Sequence, residues 1–261
     1  MVEQLAQWTL FDSTTTLVVT ALAVLLAGLS KGGMGGAFAL MGVPVLALVM
    51  PPVQAAALLL PILLMMDAIS LWAWRGWFDR TTLRMMLPGA AIGIAAATLV
   101  AASTSDTLVR LIVGLVALGF VARLVLSRAN AQARPHSAAR GTFWGAATGF
   151  TSFVAHAGGP TFQVYALPLR LDPKLYTGTS VLFFAIINMI KVVPYAALGQ
   201  FSGPVLASAL VMLPLAALAT LAGAAIVRRL RADVFYPFMY VMIAIVGAKL
   251  VWDGVRALLA G

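Results

Sequence analysis

The sequence predicts an all-α polytopic membrane protein built from two inverted repeats, each with a glycine-broken helical hairpin and three spanning helices. Three observations carry that prediction. The 261 residues are 62% hydrophobic and only 10% charged, whereas a soluble domain carries roughly 25% charged residues. Apolar stretches alternate with short basic loops along the whole chain. Motifs of the first half return in the second.

The mean hydropathy of +1.01 leaves too little polar surface to face water. No segment is long and polar enough to form a separate soluble domain. The net charge of +9 resides in short loops, so it reads as a topology signal and not as a nucleic-acid surface. The chain has no cysteine, which excludes disulfides, thiol chemistry and thiolate metal sites. With Glu3 and Asp12 and no basic n-region, no cleavable signal peptide is expected.

The apolar segments run, in order, over 14–30, 36–50, 53–74, 82–102, 106–127, 141–156, 159–170, 175–198, 203–227 and 233–254. Six of them, beginning with 53–74, reach the ~20 residues that span a ~30 Å core. The pairs 14–30/36–50 and 141–156/159–170 are shorter, and each is joined by a glycine-rich break, KGGMGG or HAGGP. Hairpin-like or broken helices are expected there, since irregular backbone at membrane depth survives only when buried or lining a cavity.

The repeat is legible in three matches: GGAFALMGVP with GGPTFQVYALP, MLPGAAIG with MLPLAALA, and SDTLVRLIVGLVALG with ADVFYPFMYVMIAIVG. They divide the chain into a first repeat over 1–130, a cytoplasmic linker over 131–140 and a second repeat over 141–261. This alignment sets Asp67 opposite Asn188. Basic residues fill the loops at Arg75–Arg84, Arg128–Arg140, Arg170–Lys174 and Arg228–Arg231, while the intervening loops carry none. The positive-inside rule makes the first set cytoplasmic. The halves are then inverted, and both termini fall on the periplasmic side of an inner membrane.

The two glycine breaks are the first candidates for chemistry. A helix starting after such a turn presents unpaired N–H groups and a positive dipole end. Lys31, with Gly32, Gly33, Gly35 and Gly36, marks the first break; His156, with Gly158 and Gly159, marks the second. Inverted symmetry would bring them together as an anion site; close helix packing is the plainer use of such glycines.

Asp67, near mid-segment, is read either as a proton carrier or as a structural ion-pair partner of Lys31 or Lys191, two roles that are compatible. Asn188 and Lys191 are assigned to substrate binding. Gln163, Tyr165, Thr177 and Thr179 are supporting donors around it. Trp72, Trp74 and Trp77 are expected at the membrane interface. Thr148, Thr151 and Ser152 are placed on the path or in intrahelical hydrogen bonds.

No zinc-protease, Walker-type or dinucleotide motif occurs. Two histidines and eight carboxylates supply no catalytic cluster. Neither an enzyme nor a metal or cofactor site is expected.

The stretches GLSKGGMGGAFALMGVPVL, HAGGPTFQVYALPLRLDPKLYTGTSVLFF and NMIKVVPYAALG resemble the TauE/SafE group of membrane permeases, the sulfite or organosulfonate exporters. The resemblance extends over nearly the whole chain. It implies a permease for a small sulfur-containing anion such as sulfite or sulfoacetate. His156 and Ala157 stand where many relatives look more like TGIGGP, a departure that bears on substrate and proton chemistry. The expected partners are that anion and the lipid bilayer, with no nucleic acid and the homodimer left open. A passive anion channel and a non-transporting membrane scaffold are the alternatives.

Overall fold

Ser13 starts the first long helix. Its hydroxyl accepts the Thr16 N–H at 3.1 Å, and the Asp12 carboxylate accepts the Thr16 hydroxyl at 2.7 Å. Such caps satisfy amides that a helix start leaves open. The helix, α1, runs over Thr14–Lys31. In the computed structural model, which describes residues 6–33, 42–46, 48–100, 106–126, 133–197 and 199–260, it is followed by nine further α-helices. These are α2 (Gly42–Leu46), α3 (Pro52–Ala73), α4 (Arg80–Val100), α5 (Asp106–Leu126), α6 (Ala138–Ala155), α7 (Gly158–Ala166), α8 (Pro173–Ala197), α9 (Gly203–Arg228) and α10 (Ala232–Ala260). A single 3₁₀ turn, Leu167–Leu169, follows α7. No strand occurs among the described residues.

Six helices among the described residues are long and apolar enough to cross a membrane. This corrects one expectation: α1, with 18 residues, is among them, and at 1.5 Å per residue it reaches roughly 27 Å. By contrast α5 is 21 residues long, and its strongly apolar part is Arg110–Ala122.

The chain divides into two compact units. The first holds Met1–Gly76 and Phe184–Arg229. Its core packs Phe11, Val24, Leu46, Leu58, Ile62, Met66 and Met212 from α1, α2, α3, α9 and the segment before α1. The second holds Trp77–Phe183 and Leu230–Gly261.

One packing theme recurs in both units. In the first, α1 lies directly on α9: a Cβ on Gly32 would sit 2.3 Å from the Thr220 carbonyl oxygen, and one on Gly223 would sit 2.3 Å from that of Leu29. In the second, α4 lies on α6: a Cβ on Gly93 would sit 2.0 Å from the Ala146 oxygen, and one on Gly145 would sit 2.1 Å from that of Met86. Small residues four apart let helices approach backbone to backbone, which is how apolar helices associate in lipid. In each unit the first helix of a glycine-broken pair meets a helix with an internal proline, Pro214 in α9 and Pro88 in α4.

The pair α6/α7 is a hairpin. His156 takes the left-handed conformation (φ 49°) that ends α6. Then α7 runs for only nine residues, roughly 13 Å and too short to cross. Its foot returns to its start. The Arg134 N–H donates to the Pro168 carbonyl at 2.9 Å, and the Tyr165 hydroxyl donates to the Ser137 carbonyl at 3.4 Å.

Candidate functional site

Lys31 is the last residue of α1, where a cation complements the negative end of the helix dipole. Its ammonium reaches Asp67 Oδ1 on α3 at 2.5 Å, and both side chains are largely buried, 11% and 4% exposed. Asn188 on α8 donates its side-chain amide to Asp67 Oδ2 at 2.6 Å. Both oxygens of the carboxylate are therefore held. Lys31 also lies 5.6 Å from the centre of the Phe184 ring, a distance at which a cation is attracted to the ring face.

Lys191 is 1% exposed. It sits three residues after Asn188 and hence on the same helix face. Electrostatic coupling connects it with both Lys31 and Asp67. The first unit thus collects two lysines, one carboxylate and one carboxamide in its interior. A buried charge is costly unless paired and hydrogen-bonded, and intramembrane ionisable groups generally face one another or a pathway. Of the two ion-pair partners open to Asp67 in the sequence, Lys31 makes the direct contact.

The end of α1 is fixed from α3. The Ser70 hydroxyl donates to the Lys31 carbonyl at 3.0 Å, and the Trp74 indole N–H donates to the Gly32 carbonyl at 2.8 Å. Arg228 lies over the Trp74 ring at 5.4 Å and donates to the Ala73 carbonyl. This corrects the interfacial placement of Trp74, which is 3% exposed, whereas Trp72 is 63% exposed. The one signal that separated Trp74 from its neighbours is its position seven residues after Asp67, on the same helix face.

The glycines of the first break fall differently from expectation. The Gly32 and Gly33 N–H groups donate to the Gly28 and Ser30 carbonyls at 2.8 and 3.1 Å. They close the last turn of α1 and offer no donor to an anion. Gly33 has a φ of 140°, which a side chain would strain. Gly35 and Gly36 lie outside the described residues.

The second break belongs to the other unit. There α7 opens at Gly158 with no side chain capping its amides, and Gly158 and Gly159 lie in its first turn beside His156. The Thr161 hydroxyl donates to the Gly158 carbonyl at 2.9 Å. Gln163 is buried in α7. The supporting donors are dispersed: Tyr165 binds the foot of the hairpin, and Thr177 is buried with no partner for its hydroxyl among the described residues. The Thr179 hydroxyl accepts the Asp79 N–H at 2.7 Å, outside the lysine cluster. Thr148 and Thr151 donate to the carbonyls of Trp144 and Ala147 four residues back, the intrahelical role.

The composition of the linker gave no hint of one contact. His136 Nε2 lies 2.9 Å from Asp79 Oδ2, and the same carboxylate oxygen accepts the Thr82 N–H at the start of α4. Burial pushes the Asp79 acid up, but the hydrogen bonds from Thr82 and the adjacent His136 outweigh it and hold the group below its ordinary value.

Six helices of this length and apolarity define a multi-pass membrane protein. The family described as Sulfite exporter TauE/SafE matches residues 20–250, and the chain belongs to it. That family consists of transporters. No curated protein and no solved structure matches the chain.

Proposed function

We propose that the protein is a secondary transporter that exports a small sulfur-containing anion, sulfite, sulfoacetate or a related organosulfonate, across the inner membrane, with proton coupling through Asp67. One observation carries this reading: the buried Lys31–Asp67–Asn188 cluster, with Lys191 beside it. An incoming anion competes with Asp67 for Lys31. Protonating Asp67 relieves the repulsion between the two negative groups, so anion and proton bind together and travel in the same direction. The contact between Asp67 and Asn188 supports the inverted repeat, because counterparts that touch lie beside the axis relating them. Inverted-repeat transporters place their sites there.

Within the second unit taken by itself, His156 and the first-turn amides of α7 at Gly158 and Gly159 are proposed to bind the substrate anion. The two repeats are assigned to 1–130 and 141–261. Both termini are assigned to the periplasm, from the basic loops at Arg75–Arg84, Arg128–Arg140, Arg170–Lys174 and Arg228–Arg231 of the sequence.

The test is anion flux into or out of proteoliposomes holding the purified protein, with and without an imposed proton gradient. Sulfite, sulfoacetate, taurine, thiosulfate and sulfate form the panel. Gradient-driven accumulation is expected. Flux that merely equilibrates the anion fits a channel, and no flux fits a scaffold. A reporter fused after Gly261 that reads cytoplasmic would overturn the topology.

A further inference from the structure

We infer that the site counts charge: a dianion is taken up with one more proton than a monoanion, and the extra proton resides on Asp67. This rests on the anion-transport reading above, confines its proton coupling through Asp67 to dianionic ligands, and adds to it the part played by Lys191.

The inventory of ionisable groups in the first unit is short. Along its spanning helices, α1 contributes Lys31 alone and α3 contributes Asp67 alone. The Phe184–Ala197 part of α8 contributes Lys191 and Tyr195. Only the final residue of α9, Arg228, is charged, and its guanidinium is engaged with Trp74 and the Ala73 carbonyl. The stretch from Gly32 to Pro51, which includes α2, has no ionisable side chain. The interior of the first unit therefore holds two lysines and one carboxylic acid. Each uncompensated charge at such depth is costly.

With both lysines protonated, a bound monoanion balances this set: two ammonium groups against the ionised Asp67 and the ligand. A dianion leaves one negative charge in excess. A proton on Asp67 removes it. The geometry accommodates that proton. The Asn188 amide continues to donate to Oδ2, while Oδ1, the oxygen now held by Lys31, takes the hydrogen and turns it toward the ligand. Lys31 is thereby released to the anion. Lys191 is what makes the count work, because without it the set balances a monoanion only when Asp67 is protonated and cannot balance a dianion.

The probes are anions whose charge is fixed around neutral pH: methanesulfonate as monoanion, sulfate and thiosulfate as dianions. Binding to the full-length protein in detergent is measured calorimetrically in two buffers of unlike ionisation enthalpy, which yields the protons taken up per anion. We expect one more for the dianions. Relative to methanesulfonate, dianion affinity should rise about tenfold for each unit the pH is lowered. Lys191→Met should keep methanesulfonate, now bound with a proton, and lose the dianions by roughly 100-fold. The proton count of the parent protein stands even where that variant fails to fold. Equal counts for the two classes, no dianion binding by the parent, or undiminished dianion binding by Lys191→Met overturns the inference. Binding of both classes with equal counts overturns it alone; binding of neither overturns the anion-transport reading as well.

Discussion

Asn188 and Asp67 are hydrogen-bonded to each other, amide nitrogen to carboxylate oxygen at 2.6 Å, across 121 positions of chain. They are also the residues that the two halves of the sequence place opposite one another. One half thus supplies an acid and the other a neutral donor that holds it. A second acid at position 188 would set two like charges together unless one of them stayed protonated, whereas the neutral amide holds the carboxylate without that cost.

The first prediction follows from that contact. Asp67→Asn removes the acid but leaves an acceptor for the Asn188 amide. The variant should fold and bind anion, more tightly at neutral pH, because Lys31 no longer has an internal competitor. Its transport should lose dependence on the proton gradient. Asn188→Leu instead strands Oδ2 and should cost about 1–3 kcal/mol of stability. Proteoliposome flux checks the first variant and thermal unfolding in detergent the second. If Asp67→Asn responds to the gradient as the parent does, the acid is structural and His156 is the next coupling candidate.

Much of the fold was readable because a bilayer enforces a simple rule: apolar length marks a helix. The segment read as 53–74 is α3, Pro52–Ala73, and the one read as 203–227 is α9, Gly203–Arg228. The last helix runs on to Ala260, six residues past the expected end, because the Lys249–Asp253 pair and Arg256 lower the hydropathy without breaking the backbone. Asp67 stood out as the single carboxylate in a long apolar run, and its lysine partners were limited to two. Choosing between them needed the geometry, since 36 positions of separation say nothing about which helices touch. The Asp79–His136 contact left no trace in the sequence, because a loop-to-linker contact has no period.

The glycine seams make a prediction about stability alone. A Cβ on Gly93 would overlap the Ala146 carbonyl, and backbone on both sides prevents relief. Overpacking a fitted contact typically costs ~1–3 kcal/mol, occasionally more, and Gly93→Val should reach the upper end. Gly119→Ala meets nothing within 4 Å and should leave the unfolding temperature unchanged or slightly raised. A Gly93→Val protein as stable as the parent would refute the close approach of α4 and α6.

Asp79 gives a pH dependence whose sign is fixed. Its folded value lies below the ordinary 3.8. The stability it contributes is therefore present above that ordinary value and is lost as pH falls through the lower, folded one. Asp79→Asn should be less stable than the parent at neutral pH, and the gap should close as the pH drops below about 4. Unfolding midpoints of the two proteins across that range provide the measurement. A gap that stays constant into acid would mean that the carboxylate contributes by shape and not by charge.

Trp74 supplies the last prediction. Its indole N–H is the donor to the Gly32 carbonyl at the end of α1, one residue beyond the lysine that holds Asp67. Trp74→Phe keeps a ring under Arg228 but removes that donor. An acceptor left buried without its partner costs about 1–3 kcal/mol. Beyond the loss of stability, the end of α1 would no longer be fixed from that side, so Lys31 would sample positions away from Asp67. Anion affinity should then fall together with stability, and Trp74→His, which restores a ring N–H, should recover part of both. Trp72→Phe, on a side chain 63% exposed, should change neither. Stability lost in Trp74→Phe with anion affinity intact would show that Ser70, bonded to the Lys31 carbonyl, is enough to hold the lysine in place.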